Sequence, residues 1–173
     1  MKKELIFIGG ARGVGKSTII KEANEILKLP VLYTGKIYKE AIEKNIEPEQ
    51  SIYKNIMTHK GFVDTHYAGK NGNKFKRNIK KENLINIAHK RDEIKFVLID
   101  LNLEELLERR KKDNYKNRKI RNLSIDETLE ELELNKEYFN KYIQETGKEG
   151  FIINNKDYLF YSNLNTIKKI GGM

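Results

Sequence analysis

Cysteine is absent from all 173 residues, which excludes disulfides, zinc–thiolate centres and thiol nucleophiles. Long apolar runs are missing too: none approaches the roughly 20 residues that cross a bilayer, so no membrane partner is expected. The opening Met1-Lys2-Lys3-Glu4-Leu5-Ile6-Phe7-Ile8 has the charge pattern of a leader, but its apolar stretch is short and runs into glycines. It reads as a first β-strand, and the chain as cytoplasmic. Internal repeats and linker-like stretches are also lacking, so residues 1–173 are expected to form one domain.

Acidic residues are outnumbered, 25 against 34 basic ones, giving a net charge of +9. Such an excess raises the question of a nucleic-acid partner. Most of it is lysine in a chain also crowded with Asn and Ile, the joint enrichment an AT-rich coding sequence produces. The basic runs at 70–81 and 109–121 lack interleaved aromatics for base stacking, Phe75 and Tyr115 being isolated. Nucleic acid is therefore the less favoured partner.

Short apolar segments alternate with amphipathic ones. Leu5-Ile6-Phe7-Ile8 reads as a strand buried on both faces, followed after glycines by a helix from Lys16 with Ile19, Ile20, Ala23, Ile26 and Leu27 on one side. Pro30 ends that pattern, and Val31-Leu32-Tyr33 is a second strand. Helices are expected at 36–45 and 48–57, Pro48 suiting a first turn. Gly61-Phe62-Val63-Asp64 is a third strand, 67–80 a polar loop, and a further helix ends near His89. Phe96-Val97-Leu98-Ile99 is a fourth strand. Asn102 with Glu105, and Ser124 with Glu127, have the spacing of helix N-caps. The long helix after Ser124 is expected to bury Ile125, Leu129, Leu132, Phe139 and Ile143. Gly150-Phe151-Ile152-Ile153 is a fifth strand, and a last helix carries Leu164 and Ile167. This alternation predicts an α/β fold: a five-stranded parallel sheet with helices on both faces and ligands at the carboxyl ends of the strands.

Gly10-Ala11-Arg12-Gly13-Val14-Gly15-Lys16-Ser17 fills every fixed position of G-x-x-x-x-G-K-[ST]. Glycines let successive N–H groups turn inward as an anion nest, and the following helix adds the positive end of its dipole. Lys16 suits the β- and γ-phosphates, the Ser17 hydroxyl suits Mg²⁺, and Thr18 continues the first turn. A chance match arises about once per hundred such chains, and the strand before and helix after lower that further. ATP and Mg²⁺ are therefore the expected donor and metal. Asp64, ending a buried strand, is the stronger candidate for the Mg²⁺ shell through water. Asp100 is the competitor, better read as a cap for the helix near Asn102.

The P-loop, the strand Gly61-Phe62-Val63-Asp64-Thr65-His66, the stretch Glu105-Leu106-Leu107-Glu108-Arg109-Arg110 leading to Lys116-Asn117-Arg118, and Asn154-Asn155-Lys156 occur in an order that resembles the nucleoside monophosphate kinases. Within them the archaeal-type adenylate kinases are the most similar. The resemblance implies a P-loop NTPase fold, an acceptor-binding helical insert over about 36–58 and a lid over about 109–124. It implies that Arg118 stabilises the migrating phosphoryl group, that Arg109 or Arg110 anchors lid or nucleotide, and that Asn155 and Lys156 border the adenine. Thr65 and His66 would face the acceptor, His66 having a structural hydrogen-bonding role as its alternative.

The sequence departs from that family on the acceptor side. No arginine lies between Arg12 and Arg77, and Lys36, Lys39, Lys44, Lys54 and Lys60 lack the planar fork that grips phosphate. Lys116, Lys119 and Arg121 also replace family residues. Three functions stay open. The first is ATP-dependent phosphorylation of a nucleoside monophosphate, with Lys70, Lys74, Lys76 and Arg77 contacting its phosphate. The second is phosphorylation of a hydroxyl on a nucleoside or small metabolite, with Asp64 doubling as base. The third is a nucleotide-dependent nucleic-acid-binding or regulatory protein.

Overall fold

The structure, a computed structural model, describes residues 4–116 and 121–172. In chain order its elements are β1 (Glu4–Gly9), α1 (Lys16–Leu27), β2 (Val31–Tyr33), α2 (Thr34–Glu43), α3 (Pro48–Thr58) and β3 (Gly61–Asp64). Then come β4 (Ala68–Asn71), β5 (Lys74–Arg77), α4 (Lys81–His89), β6 (Glu93–Asp100), α5 (Leu103–Tyr115), α6 (Ile125–Thr146), β7 (Glu149–Asn154) and α7 (Phe160–Ile170). A 3-10 turn, Asp157–Leu159, precedes α7.

Five strands form one parallel sheet in the order β2-β3-β1-β6-β7, as expected. β1 lies in the middle, with Ile8 opposite Asp64 of β3 and Gly9 opposite Leu98 of β6. Its unbroken apolar run follows from that position. Ile6 and Ile8 enter the core under α1 and α7, while Leu5 and Phe7 enter the opposite core with Leu84, Phe139 and Tyr142. All four are fully buried, each contributing roughly 1.5–3 kcal/mol of transfer free energy. The carboxyl ends of β1, β3 and β6 therefore deliver the P-loop, Asp64 and Asp100 to one edge of the sheet.

Both sequence-read caps form: the Asn102 side chain accepts from the Glu105 N–H at 2.9 Å, and the Ser124 hydroxyl from the Glu127 N–H at 3.4 Å. Asp100 does not cap α5, contrary to expectation. One of its oxygens takes the Leu101 N–H and the other pairs with Lys136 at 3.3 Å.

Residues 67–80 are not a plain loop. β4 and β5 pair antiparallel as a separate hairpin, Lys70 opposite Phe75, with Gly72 at φ 61° in the turn. The buried face of α6 also differs from the expected one. Ile125 and Leu129 are exposed, and the face turned inward is Thr128, Glu131, Asn135, Phe139 and Tyr142. Its first half is polar because it packs on the P-loop and the hairpin, whose backbone groups require partners. Asn135 accepts from the Tyr67 and Ala68 N–H groups at 2.9 and 3.2 Å.

Candidate active site

The chain turns sharply between β1 and α1. Gly10 lies at φ 144°, where a Cβ would come within 2.4 Å of the Ile99 carbonyl oxygen. Gly15, at φ 97°, caps α1 with nothing but backbone, and a Cβ there would meet the Asn155 amide nitrogen at 2.4 Å. Lys16, buried in the first turn, folds back so that Nζ donates to the Gly10 and Ala11 carbonyls, both at 2.8 Å. Burial lowers its pKa to about 8, with Asp64 and Glu131 opposing the shift and Arg121 and Arg12 adding to it. A polyphosphate would reverse that shift. Arg12, Ser17 and Thr18 are exposed at the mouth, whereas Ala11 and Val14 are buried beneath it.

The Ser17 hydroxyl donates to Asp64 Oδ2 at 2.7 Å. Among the described residues no group of three or more His, Cys, Asp or Glu side chains is placed to cage a metal. One hydroxyl and one carboxylate beside a phosphate nest nevertheless suit Mg²⁺, which keeps several waters and is carried in on phosphate oxygens. The donor set thus fits the expected ion.

His66 Nδ1 lies 2.7 Å from the Gly10 carbonyl. Desolvation, then the Lys16 ammonium, hold its pKa well below the ordinary histidine value. The neutral ring donates from Nδ1, so Lys16 Nζ, 3.4 Å away, shares the same carbonyl rather than bonding the ring. His66 thereby latches the end of β3 to the P-loop, the structural alternative. Thr65 is spent inside the wall: its hydroxyl accepts from Thr34 and Asn78 at 3.2 and 2.8 Å and donates to the His66 carbonyl. Arg77 is likewise committed elsewhere, forked on Glu145 at 2.9 and 3.1 Å and lying over Tyr142.

Arg109 and Arg110 sit on helix α5 rather than in a lid loop. Arg109 donates to the Val14 carbonyl at 3.1 Å, to the Asn155 carbonyl and to Asp157 at 2.6 Å. Asn155 is buried, its amide donating to the Val14 carbonyl at 2.7 Å, and Lys156 beside it is partly exposed. These residues brace the far side of the P-loop. Arg110 is 2% exposed and grips the Arg12 carbonyl through Nε and one terminal nitrogen at 3.0 and 2.8 Å. That places it beneath the loop. Arg118 lies outside the described residues.

The sequence did not single out the partner of Arg110. Glu131 of α6, 4% exposed, accepts from Arg110 at 2.6 Å through one oxygen and from the Arg12 N–H at 2.8 Å through the other. The N–H and the carbonyl of Arg12 are therefore both clamped by one buried ion pair. The signal was present: Thr128, Glu131 and Asn135 continue the helical spacing of Phe139 and Tyr142. Arg121, which the sequence marks only as a departure from the family, acts by its charge on Lys16.

A glycine-turned nest with a buried lysine, a serine–aspartate pair and a central parallel sheet defines a P-loop nucleotide-binding α/β protein. A family profile described as an AAA domain matches residues 6–133, and the chain belongs to that family. No curated protein sequence matches it. The fold is shared with several solved structures. One is YorR from Bacillus subtilis in complex with phosphorylated GDP, with 15% identity, TM-score 0.65, and 96% of this chain and 94% of that one covered. Another is shikimate kinase from Acinetobacter baumannii in complex with shikimate, with 17% identity, TM-score 0.60 and coverage of 98% and 93%. A sugar kinase from a Janibacter species has 10% identity, TM-score 0.60 and coverage of 98% and 94%.

Proposed function

We propose that this chain is a P-loop kinase that moves the γ-phosphoryl group of ATP to a hydroxyl of a small acceptor. The observation that carries this reading is Asp64. It ends β3 beside the P-loop, 91% buried, with the Ser17 hydroxyl on one oxygen. The likeness to a shikimate kinase and a sugar kinase supports a hydroxyl acceptor.

Lys16 releases the Gly10 and Ala11 carbonyls and turns to the β- and γ-phosphates, with the nest amides holding the chain behind them. Asp64 orients the acceptor hydroxyl and receives its proton as the oxygen attacks the γ-phosphorus. The bond from that phosphorus to the β–γ bridging oxygen breaks, and ADP leaves with the electron pair. Mg²⁺, which Ser17 would hold directly and Asp64 through water, supplies charge neutralisation at the β- and γ-oxygens when bound. Arg118, by the family resemblance, would face the migrating group.

A nucleoside monophosphate acceptor is the second reading, favoured by the exposed Lys74 and Lys76 on the hairpin. Its weakness is the segment of α2, α3 and the residues just after each, where Lys36, Lys39, Lys44, Lys54 and Lys60 are all exposed and no arginine occurs. Incubating the purified protein with ATP, Mg²⁺ and a panel of hydroxyl acceptors and nucleoside monophosphates separates the two. Phosphorylation of an alcohol is expected. Turnover restricted to diphosphate formation from monophosphates would overturn the first reading.

A further inference from the structure

A cavity of about 130 Å³ opens beside the P-loop, between Arg12, the hairpin residues Lys70 and Phe75, and Arg121 at the foot of α6. Taking ~30 Å³ per water, it has room for a small anion and part of a carbon skeleton. Its lining carries more cations than it neutralises. Arg110 is matched by Glu131 at 2.6 Å, and Lys70 by Glu127 at 2.7 Å. Arg121 pairs only with Asp113, outside the lining, and the Arg12 guanidinium has no acidic partner among the described residues.

Arg12 bonds only through its backbone, and its side chain has no partner among the described residues. Arg121 buries its Nε without a hydrogen bond, and Asp113 stands 3.7 Å away. Desolvation lowers the pKa of Arg121 against the opposing pull of Asp113, and the guanidiniums of Arg110 and Arg12 add to the lowering while Glu131 resists it. A buried donor without an acceptor is costly, and the residue that carries it lines the cavity. The planar fork of arginine matches a carboxylate or phosphate with two parallel bonds. Phe75, with Lys70 Nζ 5.8 Å from its ring centre, supplies an apolar wall.

The position favours the acceptor over the donor. The hairpin leaves directly from the end of β3, on the opposite side of β1 from Asn155 and Arg109. Both Arg12 and Arg121 act electrostatically on Lys16, so a group seated here lies near the transfer centre. We propose that Arg12 and Arg121, walled by Lys70 and Phe75, form an oxyanion subsite for the acceptor. The acceptor is then a small hydroxyl compound bearing a carboxylate or phosphate separate from the oxygen that takes the phosphoryl group. This deepens the kinase reading and rests on it.

The test loads the full chain with Mg²⁺ and a non-hydrolysable ATP analogue, then titrates inorganic phosphate and acetate separately by calorimetry. At least one anion should bind to the loaded protein. Arg121→Gln should weaken that binding about tenfold or more, Arg121→Lys should restore part of it, and analogue affinity should stay within about twofold. Phosphate binding alone identifies a phosphorylated acceptor, and acetate binding alone an acid. If Arg121→Gln does not fold, Arg12→Gln, an exposed position, takes its place. Failure of both anions to bind overturns the subsite, as does an equal loss of analogue affinity, which would assign the guanidinium to the donor. Failure of the wild type to take up the analogue would instead sink the kinase reading.

Discussion

Nucleotide binding should draw a proton onto Lys16, and the size of that uptake follows from its surroundings. The buried ammonium donates to two carbonyls, and desolvation outweighs the pull of Asp64 and Glu131, so its pKa falls to about 8. Triphosphate oxygens replace those carbonyls and restore the charged form, raising the pKa well past that value. The fraction of Lys16 lacking its proton is roughly 0.1 at pH 7, 0.5 at pH 8 and 0.9 at pH 9 for a pKa of about 8. Binding should therefore take up about half a proton at pH 8 and almost one at pH 9. Affinity is full below pH 8 and falls as pH rises through it, approaching tenfold per unit above. His66 adds nothing in this window, because its pKa lies well below the histidine value. Calorimetry with a magnesium-bound ATP analogue, repeated in two buffers of different ionisation enthalpy, reads the uptake directly. Lys16→Arg, which keeps its proton throughout, should abolish it. No uptake by the wild type at pH 8, or the same uptake in Lys16→Arg, refutes the reasoning.

Arg110→Met strands Glu131 in the core with only the Arg12 amide, and should cost about 3–5 kcal/mol, read as a lower midpoint in urea. An unchanged midpoint would mean that the pair does not hold the loop. Asp64→Asn preserves an acceptor for the Ser17 hydroxyl but takes no proton. Turnover should fall about 10²–10⁴-fold with little change in thermal midpoint, and full activity would remove Asp64 from the chemistry. Gly15→Ala places a methyl group 2.4 Å from the Asn155 amide at a φ of 97°. Titration should find analogue binding lost, and wild-type affinity would show that the turn tolerates a side chain.

What was legible in the sequence was local. Leu5 to Ile8 announce a strand covered on both faces, the P-loop spacing encodes its own turn, and Asn102 and Ser124 cap their helices through residues three positions on. The hairpin escaped notice because Lys, Asn and Gly fill it, and Phe75 is its lone residue of high strand propensity. On α6 the apolar residues pointed to the wrong face. Polar Thr128, Glu131 and Asn135 are buried since the surfaces they meet expose backbone groups and a guanidinium. The commitments of Thr65 and Arg77 depend on Thr34, Asn78 and Glu145, partners set by tertiary packing rather than by neighbours in sequence.

The Glu131–Arg110 clamp builds the shape of the loop into the packing of α5 and α6. Here the Arg12 amide and carbonyl are tethered from α6 and α5 at 2.8 to 3.0 Å by the protein's own side chains. Arriving nucleotide meets a ready-made mould, so little ordering entropy is left to lose on capture.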